Sequence, residues 1–179
     1  LPCSNEQVKK AFVFSCFTGL RLSDARTLTW RKVYKTPDGK TLYIHVFMQK
    51  TQKPNNIPLS QEALNCLQPK EDLDEPVFTL PASDATINYH VKKLVKAAGI
   101  EKKVSFHCSR HTFATMMLTL GVDIYTTSKL LGHANVTTTA IYAKIVDKKK
   151  VDAMNLVNDL FTKDDNTVNY EDRTTQPQA

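Results

Sequence analysis

The chain has 179 residues, 41% hydrophobic and 23% charged, which supplies the core of one medium domain and excludes a wholly disordered or collagen-like chain. Apolar runs are interrupted by charge or proline well short of the ~20 residues a membrane span needs, and Leu1 opens no basic-then-apolar leader, so a soluble protein without membrane contact is expected. Net charge is +6, and its distribution is uneven: residues 1–60 carry +7, 61–106 carry −1, 107–150 carry +4 and 151–179 carry −4. Two basic regions around a neutral insert fit a polyanion surface, nucleic acid being the simplest, although a solvated basic face has the same composition. Four cysteines, at positions 3, 16, 66 and 108, form no C-x-x-C pair or metal spacing and read as structural thiols in a reducing compartment.

In chain order, Ser4 and Gln7 form a capping box, and Val8, Ala11, Phe12, Ser15 and Cys16 share one face, predicting a helix over 5–18 that Gly19 stops. Ser23 caps a short second helix ending near Trp30. Pro37-Asp38-Gly39 predicts a turn between Arg31–Lys35 and Thr41–Gln49, where Leu42, Ile44, Val46 and Met48 alternate with Tyr43, His45, Phe47 and Gln49: a β-hairpin. Lys53-Pro54-Asn55-Asn56 reads as a second turn, leading to an edge strand Ile57-Pro58-Leu59. Ser60 starts a helix that Pro69 ends, and 70–76 is an acidic surface loop. Ile87, Val91, Leu94, Val95 and Ala98 define a long amphipathic helix before Gly99. Further helices are expected from Ser109 to Leu120, from Asp123 to Gly132, and over Val136–Ala143. An amphipathic segment begins at Val151, and 163–179 reads as a disordered tail. The architecture is mainly α with a small antiparallel β-sheet.

Breaking a phosphodiester without a metal requires a nucleophile, cationic donors on the nonbridging oxygens and an acid for the departing alkoxide. Arg21, in Thr18-Gly19-Leu20-Arg21, follows a helix-ending glycine and precedes a helix start, although a single arginine is usually a surface residue. His107 and Arg110 lie three apart on one side of a starting helix and can reach one phosphate. His107 and His111 are four apart, as in a zinc H-E-x-x-H helix, but position 108 is Cys rather than Glu and no third ligand is evident, so no metal is expected. Leu130-Leu131-Gly132-His133 ends a helix with an imidazole, and Tyr142 follows nine residues later.

Taken together, Thr-Gly-Leu-Arg, a lysine in a hairpin turn, His-x-x-Arg-His, Leu-Gly-His and the following Tyr resemble, in order and spacing, the catalytic domain of tyrosine recombinases, over about residues 4–160. The local sequence, especially Lys129–His133 and Ile141–Ile145, is similar to integrases of conjugative and other mobile elements of Bacteroides-type bacteria. The resemblance implies the family's DNA breaking-rejoining fold over 1–162. It also implies a site-specific recombinase or integrase that cuts and rejoins DNA through a 3′-phosphotyrosyl intermediate, without cofactor. By position, Tyr142 is similar to the nucleophile, and Arg21, Arg110 and His133 to the clamp on the scissile phosphate. Lys50 matches the general acid, with Lys53 as competitor in the same turn. His107 matches a residue of acid-base and phosphate-positioning roles, and Asp24 an acidic orienter. His111 and Ser109 are left as core or support.

The implied partner is double-stranded DNA in the bacterial cytoplasm, bound by a tetramer in synapsis, with accessory DNA-bending factors. The family's core-binding and arm-binding domains do not fit ahead of Ser4, so an isolated catalytic half is expected. The segment 151–161 resembles the C-terminal helix that docks on a neighbouring protomer, or else folds back on its own body. A type IB topoisomerase and a noncatalytic helical DNA-binding module are the competing readings.

Overall fold

The computed structural model describes residues 5–50, 52–142 and 153–157. The chain divides into two compact units, Leu1–Ala143 and Lys144–Ala179. In the first unit helix α1 (Glu6–Thr18) begins at Asn5, whose side-chain oxygen accepts the Val8 N–H at 3.0 Å. Asn5 is therefore the cap; Ser4 lies outside the described residues, and the Gln7 carbonyl accepts from Thr79 N–H instead of reaching back. The buried face is Val8, Ala11, Phe14, Ser15 and Thr18. Phe12 and Cys16, expected on that face, are half-buried, with Phe12 edge-on to Phe106. Gly19 closes the helix at φ 71°, its N–H on Ser15 O.

Helix α2 (Leu22–Arg26) starts two residues earlier than a cap at Ser23 would place it, and Arg21 occupies the N-cap. It also ends well before Trp30. Leu28 O accepts from Val77, while Trp30 and Arg31 N–H donate to Glu75 and Leu73 carbonyls. Backbone groups that would have continued the helix are thus committed to the 73–77 loop, and Trp30–Lys32 forms a single 3-10 turn.

The hairpin is strands β1 (Val33–Lys35) and β2 (Leu42–Met48), and β3 (Lys53–Pro58) completes an antiparallel sheet in the order β1-β2-β3. Residues 53–56, expected as a turn, are strand: Lys53 pairs with Met48 and Asn55 with Val46. Leu59 N–H donates to Leu42 O, so the odd positions of β3 face the ladder and Pro54 and Pro58 sit where no inward N–H is needed. That alternation lets two prolines occupy an edge strand, and it shrinks the β2–β3 turn to Gln49–Gln52 with Lys50 in it.

Ser60 caps the one-turn helix α3 (Gln61–Leu64), and Ser83 caps α4 (Asp84–Ala97). Helices α5 (Cys108–Thr119) and α6 (Ile124–Leu130) follow, and Asp123 accepts the Thr126 N–H at 2.8 Å to cap α6. The last expected helix is a 3-10 segment, Val136–Tyr142. Helix α1 packs against α3, α4 and α5, and the core runs from Phe14, Phe78 and Phe106 to Ile44, Met48 and Ile57 on the sheet. A smaller cluster, Phe113, Ala114 and Leu131, has the half-buried Tyr142 ring against it. In the second unit Ala153–Val157 is helical; the rest of the amphipathic segment and the tail lie outside the described residues. Among the described residues no helix is long and apolar enough to cross a membrane. The fold is mainly α with one small antiparallel sheet.

Candidate active site

Arg110, on the first turn of α5, is 4% exposed. Its guanidinium donates to Gly19 O at 2.6 Å and to Leu131 O at 2.5 Å. It therefore ties together the loop that carries Arg21 and the loop that carries His133, segments more than a hundred residues apart. Burial, with Arg21 nearby, lowers its pKa to about 9, which leaves it charged at neutral pH. The first-turn N–H groups of Cys108, Ser109 and Arg110 are already bonded to the carbonyls of Ser105, Phe106 and His107. Side chains rather than bare helix amides thus supply the donors for an anion here.

Arg21 is half-buried and its Nη1 is enclosed with no hydrogen-bond partner. A cationic donor held out of water in this way is stabilised by an anion. Burial lowers its pKa and the Asp24 charge opposes that shift. Asp24 is 2% exposed; one oxygen accepts the Gln49 N–H at 3.1 Å and the other is enclosed without a partner. Asp24 thereby fastens the β2–β3 turn, and Lys50 with it, beside Arg21. Lys50 itself is exposed, yet its charge is among those lowering the pKa of both His107 and His133. Lys53 stands in β3 opposite Met48 and is also exposed.

His133 is placed by the end of α6. The N–H of Gly132 bonds Lys129 O and that of His133 bonds Ser128 O, with Gly132 at φ 62°: a Schellman closure. A Cβ at Gly132 would meet Met48 Cε at 2.8 Å, and Asn55 donates to Leu130 O at 2.9 Å, so the helix end lies directly on the sheet. The His133 Nδ1 is 2.9 Å from the buried Thr139 hydroxyl. Burial first, then Arg110, Arg21 and Lys50, lower its pKa to about 4, so the ring is neutral at pH 7.

The Tyr142 hydroxyl lies 2.6 Å from Nδ1 of His111. Burial pushes its pKa above the ordinary value, against the opposing charge of Arg110. His111 is exposed rather than part of the core, and its ring stands edge-on to His107, centroids 4.8 Å apart. Burial and then His111, Arg110, Arg21 and Lys50 lower the His107 pKa. Ser109 is buried support, its hydroxyl on Phe106 O at 2.7 Å. Among the described residues no group of three His, Cys, Asp or Glu is placed to hold a metal, the His107–His111 pair included. The six residues singled out by pattern therefore converge with Asp24 on one cationic locus. Three partners were not legible in the chain: His111 on Tyr142, Thr139 on His133 and Asn55 under α6. For His111 the i, i+4 spacing from His107 was the available signal.

A helical body with a small three-stranded antiparallel sheet is the catalytic-domain fold of tyrosine recombinases. Residues 3–149 match the Phage integrase family, and the chain belongs to it. A tyrosine recombinase of Thermosipho africanus is 32% identical over 152 residues, 82% of this chain and 52% of that protein. The XerH recombinase in a post-cleavage complex with palindromic difH substrate superposes with TM-score 0.65 at 19% identity, covering 88% of this chain and 48% of that one. The catalytic domain of bacteriophage HP1 integrase does so with TM-score 0.59 at 26% identity, covering 80% and 77%. The chain spans about half the length of the curated relatives it matches.

Proposed function

We propose that this chain is the catalytic part of a site-specific recombinase or integrase of a mobile element, acting on double-stranded DNA in the bacterial cytoplasm. The observation that supports it most is the pairing of a tyrosine hydroxyl with a cationic locus in which Arg21 Nη1 is buried and unpaired. In this reading Tyr142 Oη attacks the scissile phosphorus while the P–O5′ bond breaks. That leaves a 3′-phosphotyrosine and a 5′-hydroxyl, with Lys50, or Lys53 in its place, giving the leaving oxygen its proton. Arg21, Arg110 and His133 hold the nonbridging oxygens, where pre-placed charge stabilises the pentacoordinate phosphorus. For neutral His133 to donate from Nε2, Thr139 must donate to Nδ1, which defines the tautomer. His107 positions the phosphate, and Asp24 orients Arg21 and the lysine turn. The phosphotyrosyl bond keeps the energy of the broken diester, so another strand's 5′-hydroxyl can reseal it without a cofactor.

The domain is taken as 1–162 with a tail beyond. In the assembled recombinase, core-binding and arm-binding domains complete the grip on DNA, a tetramer forms the synapse, and accessory factors bend the site. A type IB topoisomerase would share the intermediate, whereas a noncatalytic DNA-binding module would form none. The test is covalent capture on a nicked duplex that cannot religate. The wild-type chain should form a protein–DNA adduct in EDTA, and Tyr142→Phe should form none while binding DNA with nearly unchanged affinity. An adduct persisting in Tyr142→Phe overturns the assignment, and loss in EDTA restored by a divalent ion points to a metal nuclease.

A further inference from the structure

Tyr142 cannot attack as a phenol without losing its proton, and burial makes that proton harder to lose than in water. The acceptor must sit within hydrogen-bond reach of Oη. In this structure that place is held by His111 Nδ1 at 2.6 Å, with the rings inclined at 61° and their centroids 5.9 Å apart. The imidazole stays in register because His107 lies edge-on against it and because α5 is anchored one residue earlier by Arg110 on Gly19 O and Leu131 O. The phenol ring is steadied by the Phe113, Ala114 and Leu131 cluster. His111 is exposed, so a proton it takes up can pass to water.

We propose that His111 is the general base of strand cleavage, taking the phenolic proton of Tyr142 at Nδ1 as Oη bonds to phosphorus. The inference rests on the reading of Tyr142 as nucleophile. The step balances: the Oη–H bond breaks and Nδ1–H forms, Oη–P forms as P–O5′ breaks, and the 5′ oxygen takes its proton from the lysine of the β2–β3 turn. The acceptor nitrogen must be unprotonated, so the reacting tautomer carries its hydrogen on Nε2. On religation the same nitrogen returns the proton to the tyrosyl oxygen. His107, with which His111 shares a helix face, is a positioning residue in this arrangement, since it buttresses the base.

The test uses the purified chain and the nicked duplex, with His111→Ala and His111→Asn compared by single-turnover adduct formation. Asparagine places an oxygen near the Nδ1 position and can accept the Tyr142 hydrogen bond, but it cannot take the proton. If His111 is the base, both variants lose about 10²- to 10⁴-fold in rate with DNA affinity and melting temperature unchanged, and added imidazole restores His111→Ala. Both also stay slow on a 5′-bridging phosphorothiolate, whose thiolate leaves without an acid, whereas Lys50→Ala recovers on it. Wild-type rates in His111→Asn would show that the bond only places the ring, and would overturn the proposal. So would an absence of imidazole rescue, or recovery of His111→Ala on the phosphorothiolate, which would put the residue at the leaving group. A wild-type chain that forms no adduct would overturn the recombinase reading itself; a wild-type chain that forms one while His111→Ala is unimpaired would overturn this inference alone.

Discussion

Buried Arg110 and half-buried Arg21 do different physical work, and their removal should separate stability from chemistry. Arg110 has its guanidinium hydrogens on Gly19 O and Leu131 O, both in buried backbone. Arg110→Ala should strand two carbonyls and lower unfolding free energy by about 2–4 kcal/mol. Arg21 has an enclosed Nη1 with no partner, and its loss leaves Asp24 still facing Arg110. Arg21→Ala should therefore change stability by less than about 1 kcal/mol while cutting adduct formation by roughly 10²- to 10³-fold. Urea unfolding and covalent capture on both variants check this. Equal destabilisation by the two would mean that Arg21 is a structural residue.

At the scale of elements, the site depends on how a helix end meets a sheet. Gly132 holds φ 62° and its Cα faces Met48 of β2 so closely that a Cβ would stand 2.8 Å from Cε and 3.4 Å from Asn55 Nδ2. Gly132→Ala combines left-handed strain with overpacking, and should cost about 1–3 kcal/mol. It should also slow cleavage, because His133 and the Asn55–Leu130 bond move with the helix end. Thermal melting together with cleavage rates would decide it. A variant as stable and as active as wild type would show that the contact is soft. The same element logic explains the shortened α2: tertiary hydrogen bonds to the 73–77 loop compete with helical ones, and sequence spacing does not reveal that competition.

Across the molecule, charge and protonation make two further expectations. Segment 61–106 averages to near neutral in sequence, but Lys92, Lys96, Lys102 and Lys103, against the single carboxylate of Glu101, line a concavity of about 940 Å³ beside Val95 and Ile100 that the acidic 70–76 loop does not line. This basic surface ends at Ser105, two residues before His107. If it tracks the DNA backbone, the double change Lys102→Glu with Lys103→Glu should weaken binding at low salt without altering sequence preference, and should make the affinity fall less steeply with salt. An unchanged salt slope would place the DNA elsewhere. The second expectation concerns pH. The unfolded chain protonates His133 near 6.5, while the folded one holds it to about 4, and His107 is lowered as well. Below 6.5 the unfolded state therefore binds more protons. The stabilising effect of keeping His133 neutral is complete above that value and is lost as pH falls toward about 4. Melting temperature should decline over that window, and His133→Asn should decline less; equal slopes would remove His133 as a cause.

The order and spacing of Arg21, Lys50, His107, Arg110, His133 and Tyr142 along the chain were enough to nominate them through their resemblance to the tyrosine recombinase pattern, with Lys53 competing for the place of Lys50, because the motifs that carry the resemblance lie within local turns and helix starts. Local pattern was equally enough for the β2 alternation, the Asp123 cap and the helix stops at Gly19 and Gly132, since these depend on neighbours within a few residues. Tertiary structure alone decided that Asn55 lies in a strand, that Arg110 is a buried strut as well as a cation, and that His111, which seemed mere support, meets the Tyr142 hydroxyl. The strand pairing of Asn55 with Val46 is comparatively local, whereas the Asn55 bond to Leu130 and the contacts of Arg110 and His111 cross 21 to 91 residues of chain. Such contacts arise when separate apolar faces share one core and their polar edges must then find partners, and no spacing within a single segment encodes that outcome.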